Sequence, residues 1–190
     1  MPWITKDSAR TRVETRDEPW LTPEMHATIA EELLPRYEHP KGALMHALHL
    51  VQHAYGWIPA QAMGEVAEAL SITPAEVMDT VSFYEEYWTH PKGEHLISVC
   101  RSIACEFCDA TACTEAVKKK LGIDVGQTTE DNRFTLVELE CIGSCGTAPA
   151  AIIDEDLHEN LTPERLCSLI DQIRDGSYTK GGTGAVKEDL

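Results

Sequence analysis

The chain has 190 residues, enough for one ordinary domain or two small ones and too few for a large multi-domain enzyme. Apolar residues make up 43% of it, so a core can be buried, and sixteen Lys+Arg against thirty-two Asp+Glu leave a formal charge of -16 that repels nucleic-acid phosphates. No apolar run approaches the roughly 18 residues that span a bilayer, and the polar start around Lys6, Asp7 and Arg10 lacks a signal-peptide core, so we expect a soluble intracellular chain with no direct membrane insertion.

Residues 1–20 are polar and aperiodic, with Trp3, Ile4, Val13 and Trp20 as their large apolar side chains, and read as an extended arm. Thr22-Pro23-Glu24 starts a helix, with Thr as N-cap, Pro in the first position and an acid in the first turn, and Pro35 ends or kinks it. A second helix is predicted from about Gly42 to Tyr55, with Leu44, Leu48, Val51 and Tyr55 on one face and Gly56 placed to stop it. Met63, Val66, Ala67 and Leu70 mark a third. Thr73-Pro74-Ala75-Glu76 is a capping box, flanked by an Ile72–Val77 hydrophobic staple, and opens a fourth whose buried stripe is Val77, Val81, Tyr84 and Trp88. Short helices with tight connections over residues 21–92 predict a small helical bundle.

The period changes past Pro91-Lys92-Gly93. His95–Cys100 is a short strand, a helix runs from about Asp109 to Leu121 with Gly122 stopping it, Phe134–Glu140 is β-rich, and Ala150–Ile153 is another short strand. Thr162 caps a last helix with Leu166, Leu169, Ile170 and Ile173 on its apolar face, and Leu161 can staple to Leu166. Residues 93–175 therefore read as a sheet covered by helices. The Gly-rich stretch 176–190 reads as a flexible tail; its glycines lack the Gly-Lys-Ser/Thr ending of a phosphate loop.

Seven cysteines in a reducing compartment are better read as metal ligands, catalytic thiols or core residues than as disulfides. Cys100, Cys105 and Cys108 form one group, with Cys113 beyond; Cys141 and Cys145 form a second; Cys167 stands alone. Each group begins at the end of a predicted strand, which lets thiols from one loop face thiols from another. Pairing Cys100 with Cys105 and Cys141 with Cys145 leaves four and three intervening residues, wider than the Cys-x2-Cys knuckles of structural zinc and suited to a 2Fe–2S centre. Gly143 and Gly146 leave backbone N–H groups free to approach such a centre.

Other readings stay open at this point. Cys105-Glu106-Phe107-Cys108 before a helix is also the spacing of a thiol oxidoreductase, although Glu106 opposes thiolate formation. Cys100, Cys105, Cys108 and Cys141 match the plant-type ferredoxin run, which leaves Cys145 idle. Cys113 and Cys167 fit helix interiors, and Cys108 fits a spare thiol. His46, His49 and His53 share the side of the second helix opposite its apolar face, so they meet solvent, a partner or a metal. Asp154-Glu155-Asp156 reads as a solvated turn that could hold a cation.

Several stretches resemble a known family: Gln52-His-Ala-Tyr-Gly-Trp-Ile-Pro59, Val81-Ser-Phe-Tyr84, Val99-Cys-Arg-Ser-Ile-Ala-Cys105, Leu121-Gly-Ile-Asp-Val-Gly-Gln-Thr-Thr129, Arg133-Phe-Thr-Leu136, Glu140-Cys-Ile-Gly-Ser-Cys-Gly-Thr-Ala-Pro149 and Leu161-Thr-Pro-Glu164. Over about residues 22 to 175 the chain is similar to the small 2Fe–2S subunits of the NADH-oxidising module of respiratory complex I, whose relatives serve NAD-linked hydrogenases and formate dehydrogenases. The resemblance implies an α+β chain, with a small helical bundle over 21–92 followed by a thioredoxin-like 2Fe–2S ferredoxin domain over 93–175. It implies Cys100, Cys105, Cys141 and Cys145 as ligands of one 2Fe–2S cluster, and electron transfer with no substrate site in the chain itself. FMN and NADH then belong to a neighbouring flavoprotein subunit, beside a further iron–sulfur subunit, on the cytoplasmic side of the inner membrane. A thiol oxidoreductase or a zinc-binding interaction module is the alternative of another class. Asp109 stands where relatives often have glycine, and is read as a helix cap. Glu106, Glu138 and Glu140 are expected to lower the cluster potential, and Glu140→Gln to raise it.

Overall fold

The structure, a computed structural model, describes residues 15–179. Of the arm expected over residues 1–20 and the tail expected over 176–190, residues 1–14 and 180–190 lie outside the described residues. Two compact units divide between Pro91 and Lys92.

In the first unit, Thr22 accepts the Met25 N–H and starts α1 (Pro23–Ala27), its Pro and acid sitting where the orphan N–H groups of a first turn want them. The helix loosens into a π-type turn over Thr28–Leu33 and tightens into a 3-10 turn over Leu34–Arg36, where Pro35 has no N–H to continue the ladder. A 3-10 turn at Pro40–Ala43 leads into α2 (Leu44–Tyr55). α3 (Ala60–Ala69) and α4 (Pro74–Phe83) complete the bundle, and the Thr73–Glu76 box closes in both directions at 3.3 and 3.0 Å. Leu44, Leu48, Val51, Ile58, Met63, Val66, Leu70, Val77 and Val81 are buried together as one core.

The fourth stripe does not run as expected. α4 ends at Phe83, and Tyr84 turns extended and is 42% exposed. Trp88 lies beyond the helix: its N–H donates to Gln52 Oε1 at 2.9 Å and its carbonyl accepts the Ile58 N–H at 2.7 Å. Those bonds tie the 84–88 segment to the Gln52–Pro59 stretch, and competition from them, rather than side-chain periodicity, ends the helix there. At the other edge, Glu65 Oε2 accepts the Trp20 and Leu21 N–H groups, both at 2.7 Å, and pins the start of the described chain.

The second unit is built on a four-stranded sheet of order β2-β1-β3-β4, with β1 His95–Cys100, β2 Phe134–Leu139, β3 Ala151–Ile153 and β4 Asp156–His158. β1 and β2 are parallel, and the connection between them carries α5 (Ile103–Phe107) and α6 (Ala110–Leu121); the β1–β3 and β3–β4 pairs are antiparallel. Alternate residues Ile97, Val99, Phe134, Leu136, Ala151 and Ile153 face α6 and α7 (Pro163–Asp175), which contribute Val117, Leu166, Ile170 and Ile173 to one core. Gly93 admits no side chain, because a Cβ there would lie 2.9 Å from the Phe134 backbone.

Two local expectations are corrected. Asp154-Glu155 is the turn of a β3–β4 hairpin and Asp156 opens β4, and Asp154 is not merely solvated: it accepts the Leu96 N–H at 2.8 Å and meets His95 Nδ1 at 2.8 Å. Asp109 occupies the N-cap position of α6 but makes no side-chain cap bond; its φ of 68° lies in the left-handed region where glycine rests without strain.

Candidate metal centre

The parallel pairing of β1 and β2 decides where the thiols meet. Cys100 sits beside Leu139, so both strands leave the sheet at the same end and Cys141 emerges two residues past the register partner of Cys100. The Arg101 N–H donates to Leu139 O at 2.9 Å on one side, and the Cys100 N–H donates to Ala150 O at 3.0 Å on the other. The loop 140–150 thus bridges the two flanks of β1. By strand alternation Cys100 points to the face opposite Val99, away from the main core. There Cys100, Cys105, Ala110 and Ala150 make a small separate cluster, with Ile142, Ala148 and Leu157 packed on it.

α5 begins after Ser102 and turns Cys105 inward. Cys100 and Cys105 are each 2% exposed, whereas Cys141 and Cys145 are open to solvent. The Cys141 and Cys145 sulfurs are 3.4 Å apart, and Cys100 donates to Glu140 O at 3.3 Å. Burial, followed by a hydrogen bond with Cys100, pushes the Cys105 thiol up to about 11, and the charge of Cys145 adds to it. The Gly143 N–H, donating to the Cys141 sulfur, holds that thiol below its ordinary value, with help from Cys145. Cys145 is pushed up, first by the hydrogen bond to Cys141 and then by its charge, with Cys100 contributing. The four sulfurs therefore sense one another as a buried pair and an exposed pair. Gly143 reaches its place only at a φ of 85°, and the Ala148–Pro149 peptide beside the loop is cis.

The donor set fits a binuclear iron–sulfur centre. Soft thiols come from two loops, a backbone N–H already points at one sulfur, and a Cβ on Gly146 would meet nothing within 4 Å, so packing within the chain does not demand glycine there. Among the described residues no three His, Cys, Asp or Glu side chains converge on a point for a single metal ion.

The remaining candidates separate cleanly. Cys108 is exposed on the C-cap of α5, Cys113 is buried in the sheet–helix core, and Cys167 is half-buried on α7. His46 and His53 are exposed, but His49 is half-buried, 5.3 Å from the Tyr87 ring and 5.8 Å from the His53 ring, and burial and then those neighbouring histidines pull its pKa down. Sequence reasoning missed Arg101. Its guanidinium lies on the Glu140 carboxylate at 2.5 and 3.0 Å, so the acid next to Cys141 is not an isolated negative charge. Its position directly after Cys100 was the signal: register places it across from the residue before Cys141.

Residues 20–174 match the family described as thioredoxin-like [2Fe-2S] ferredoxin. An NADH-quinone oxidoreductase subunit from Pseudomonas aeruginosa is 36% identical over 148 residues, covering 78% of this chain and 89% of that one. The protein of the same name from Escherichia coli is 38% identical over 144 residues, covering 76% and 87%. Among solved structures, an NAD+-reducing [NiFe]-hydrogenase in the H2-reduced state aligns with a TM-score of 0.62 and 28% identity over 73% of this chain. The matched part is only 23% of that hydrogenase chain.

Proposed function

The chain belongs to the thioredoxin-like 2Fe–2S ferredoxin family, and from that premise we propose that it is the electron-transfer subunit of an NADH:quinone oxidoreductase. Cys100, Cys105, Cys141 and Cys145 hold one 2Fe–2S cluster next to the FMN of a flavoprotein subunit that also binds NADH, with a further iron–sulfur subunit nearby. The observation that carries this reading is the meeting of the two thiol pairs at one end of β1. When bound, the cluster supplies one-electron chemistry, which suits a neighbour of a flavin that receives two electrons in one hydride transfer. The chain's own contribution is to anchor one sulfur pair in a dry niche, leave the other facing outward, and aim the Gly143 N–H at Cys141.

Ile103 and Phe107, 75% and 88% exposed, stand on the outer face of α5 while Cys105 faces in, and they support a protein partner covering this end. The helical bundle over 21–92 and the cluster domain over 93–175 are assigned as separate modules of the subunit. In this reading it lies on the cytoplasmic side of the inner membrane through its complex; no helix among the described residues is long and apolar enough to cross a membrane. A thiol oxidoreductase needs an accessible, low-pKa attacking sulfur, and Cys105 is buried and pushed up to about 11.

EPR of the dithionite-reduced protein beside single Cys→Ser variants tests the assignment. Serine at Cys100, Cys105, Cys141 or Cys145 should abolish or reshape the signal, and serine at Cys108 should leave it intact. A polypeptide that stays colourless and iron-free after anaerobic reconstitution overturns the reading. The hydrogenase alignment favours a second one, the equivalent module of an NAD-linked hydrogenase. Subunits that co-purify with the chain separate the two.

A further inference from the structure

We infer that Glu159 is a positioning residue for the Cys141–Cys145 loop, acting through Ser144 and Thr147; this rests on the ligand assignment just proposed. Glu159 follows β4 directly, fourteen positions after Cys145, and nothing in the cysteine spacing points to it. Its Oε1 accepts the Ser144 hydroxyl at 2.5 Å and also the Thr147 hydroxyl, and those two hydroxyl oxygens are 2.6 Å from each other. One carboxylate oxygen therefore clamps both ends of the 3-10 turn Cys145–Thr147 that carries the outer sulfur.

The clamp is itself held from behind. The Asn160 N–H donates to Thr147 O at 2.7 Å, the Leu161 N–H donates to Pro149 O at 2.9 Å, and Arg165 Nη1 donates to Glu159 O at 3.0 Å. Segment 159–161 thus buttresses the loop from the start of α7. The loop needs such support because it has little core of its own: Cys141, Gly143, Cys145 and Gly146 are all exposed, and Gly143 adds backbone freedom. Half-buried charge-assisted bonds at Ser144 and Thr147 fix the sulfur of Cys145 where apolar packing does not. Groups behind metal ligands commonly control affinity in this way.

The test compares cluster-loaded wild type with Glu159→Ala, Glu159→Gln and the double variant Ser144→Ala/Thr147→Val. Three signals are read: bleaching of the visible absorption by an iron chelator, the EPR spectrum after reduction, and amide exchange at Thr147 and Asn160. Glu159→Ala should lose its cluster about tenfold faster, the lower end of what such supporting groups contribute. It should also shift the EPR anisotropy and speed exchange at both amides, while the β1–β2 amides keep wild-type rates. The double variant removes the same bonds from the loop side and should behave alike. Glu159→Gln keeps an oxygen that accepts both hydroxyls but loses the charge assistance, and should fall between wild type and Glu159→Ala. Indifference of Glu159→Ala in a loaded protein, or equal loss in the Ala and Gln variants, overturns the positioning role alone. A wild type that takes up no iron overturns the ligand assignment and this inference with it.

Discussion

The Arg101 guanidinium grips the Glu140 carboxylate across the ends of β1 and β2, at 2.5 Å from its terminal nitrogen and 3.0 Å from Nε. Each residue adjoins a proposed ligand, Cys100 or Cys141, so the pair is a dipole beside the thiols rather than a negative charge. Glu140→Gln removes the anion and leaves the guanidinium, and should raise the cluster potential; Arg101→Gln leaves the anion, and should lower it. Both side chains are more than half exposed, so solvent screens the effect to on the order of tens of millivolts. A redox titration of both variants at low salt checks the opposite signs, and shifts in the same direction would refute the electrostatic coupling.

At Asp109 the backbone, not the charge, sets the expectation. With φ at 68° and no cap bond, the side chain does nothing the helix start requires. Asp109→Gly relieves roughly 1–2 kcal/mol of left-handed strain and gives back about 0.5–1 kcal/mol in unfolded-chain entropy, for a small net gain. Asp109→Ala keeps the strain and loses the tolerance of Asp for this region, so it should be the least stable of the three. Urea midpoints should rank Gly, Asp, Ala; an Ala variant at or above wild type would contradict the strained conformation.

Gly93 is the reverse case. Its Cβ would lie 2.9 Å from both Phe134 N and Phe134 C, and backbone cannot step aside as a flexible side chain can. Gly93→Ala should therefore cost about 1–3 kcal/mol, the usual range for overpacking. Loss of the Gly93 N–H bond to Thr135 Oγ1, now 2.7 Å long, should show as faster exchange at that amide. An unchanged denaturation midpoint would mean the two strands separate more easily than this register implies.

How much of this was legible depended on range along the chain. The Thr73–Glu76 box, the Thr162 cap and the stops at Gly56 and Gly122 are local chemistry written within a turn, and the structure follows them. The placement of both cysteine groups at strand ends was legible too, because each begins where a β-rich run ends. α5 was not: its polarity is inverted, with Cys105 in and Ile103 and Phe107 out, and five residues show no period. β4 was hidden because its three residues are Asp156, Leu157 and His158, and Tyr178, twenty positions on, bonds both Asp156 and His158. Ser144, Thr147 and Glu159 look like ordinary loop residues until the fold closes a gap of fifteen positions.

His158 gives a pH dependence. Its side chain is 3% exposed, and burial, against the pull of Asp156, holds its pKa below the free value of 6.5. Between the folded and free values the unfolded chain binds the extra proton, so stability rises with pH in that window and falls as pH drops below about 6.5. His49 is shifted the same way in the first unit, so the comparison must be with a variant rather than with a flat baseline. His158→Gln should reduce the slope of urea midpoint against pH between about 7 and 5. An unaltered slope would mean the buried imidazole accepts its proton in the fold.

The exposed face of α5 tests the complex rather than the chain. Ile103 and Phe107 are four residues apart, so they project together, and each touches water over at least three quarters of its surface. An apolar pair in that state stabilises nothing in the isolated subunit, and Ile103→Glu or Phe107→Glu should leave its unfolding and its EPR spectrum unchanged. If the proposed flavoprotein partner docks on this face, the same pair anchors it, and a buried carboxylate there should cost about 2 kcal/mol or more, a loss of roughly thirtyfold in association. Co-purification and titration of the partner onto the loaded subunit read that loss. Full-strength association of both variants would move the docking surface off α5 altogether.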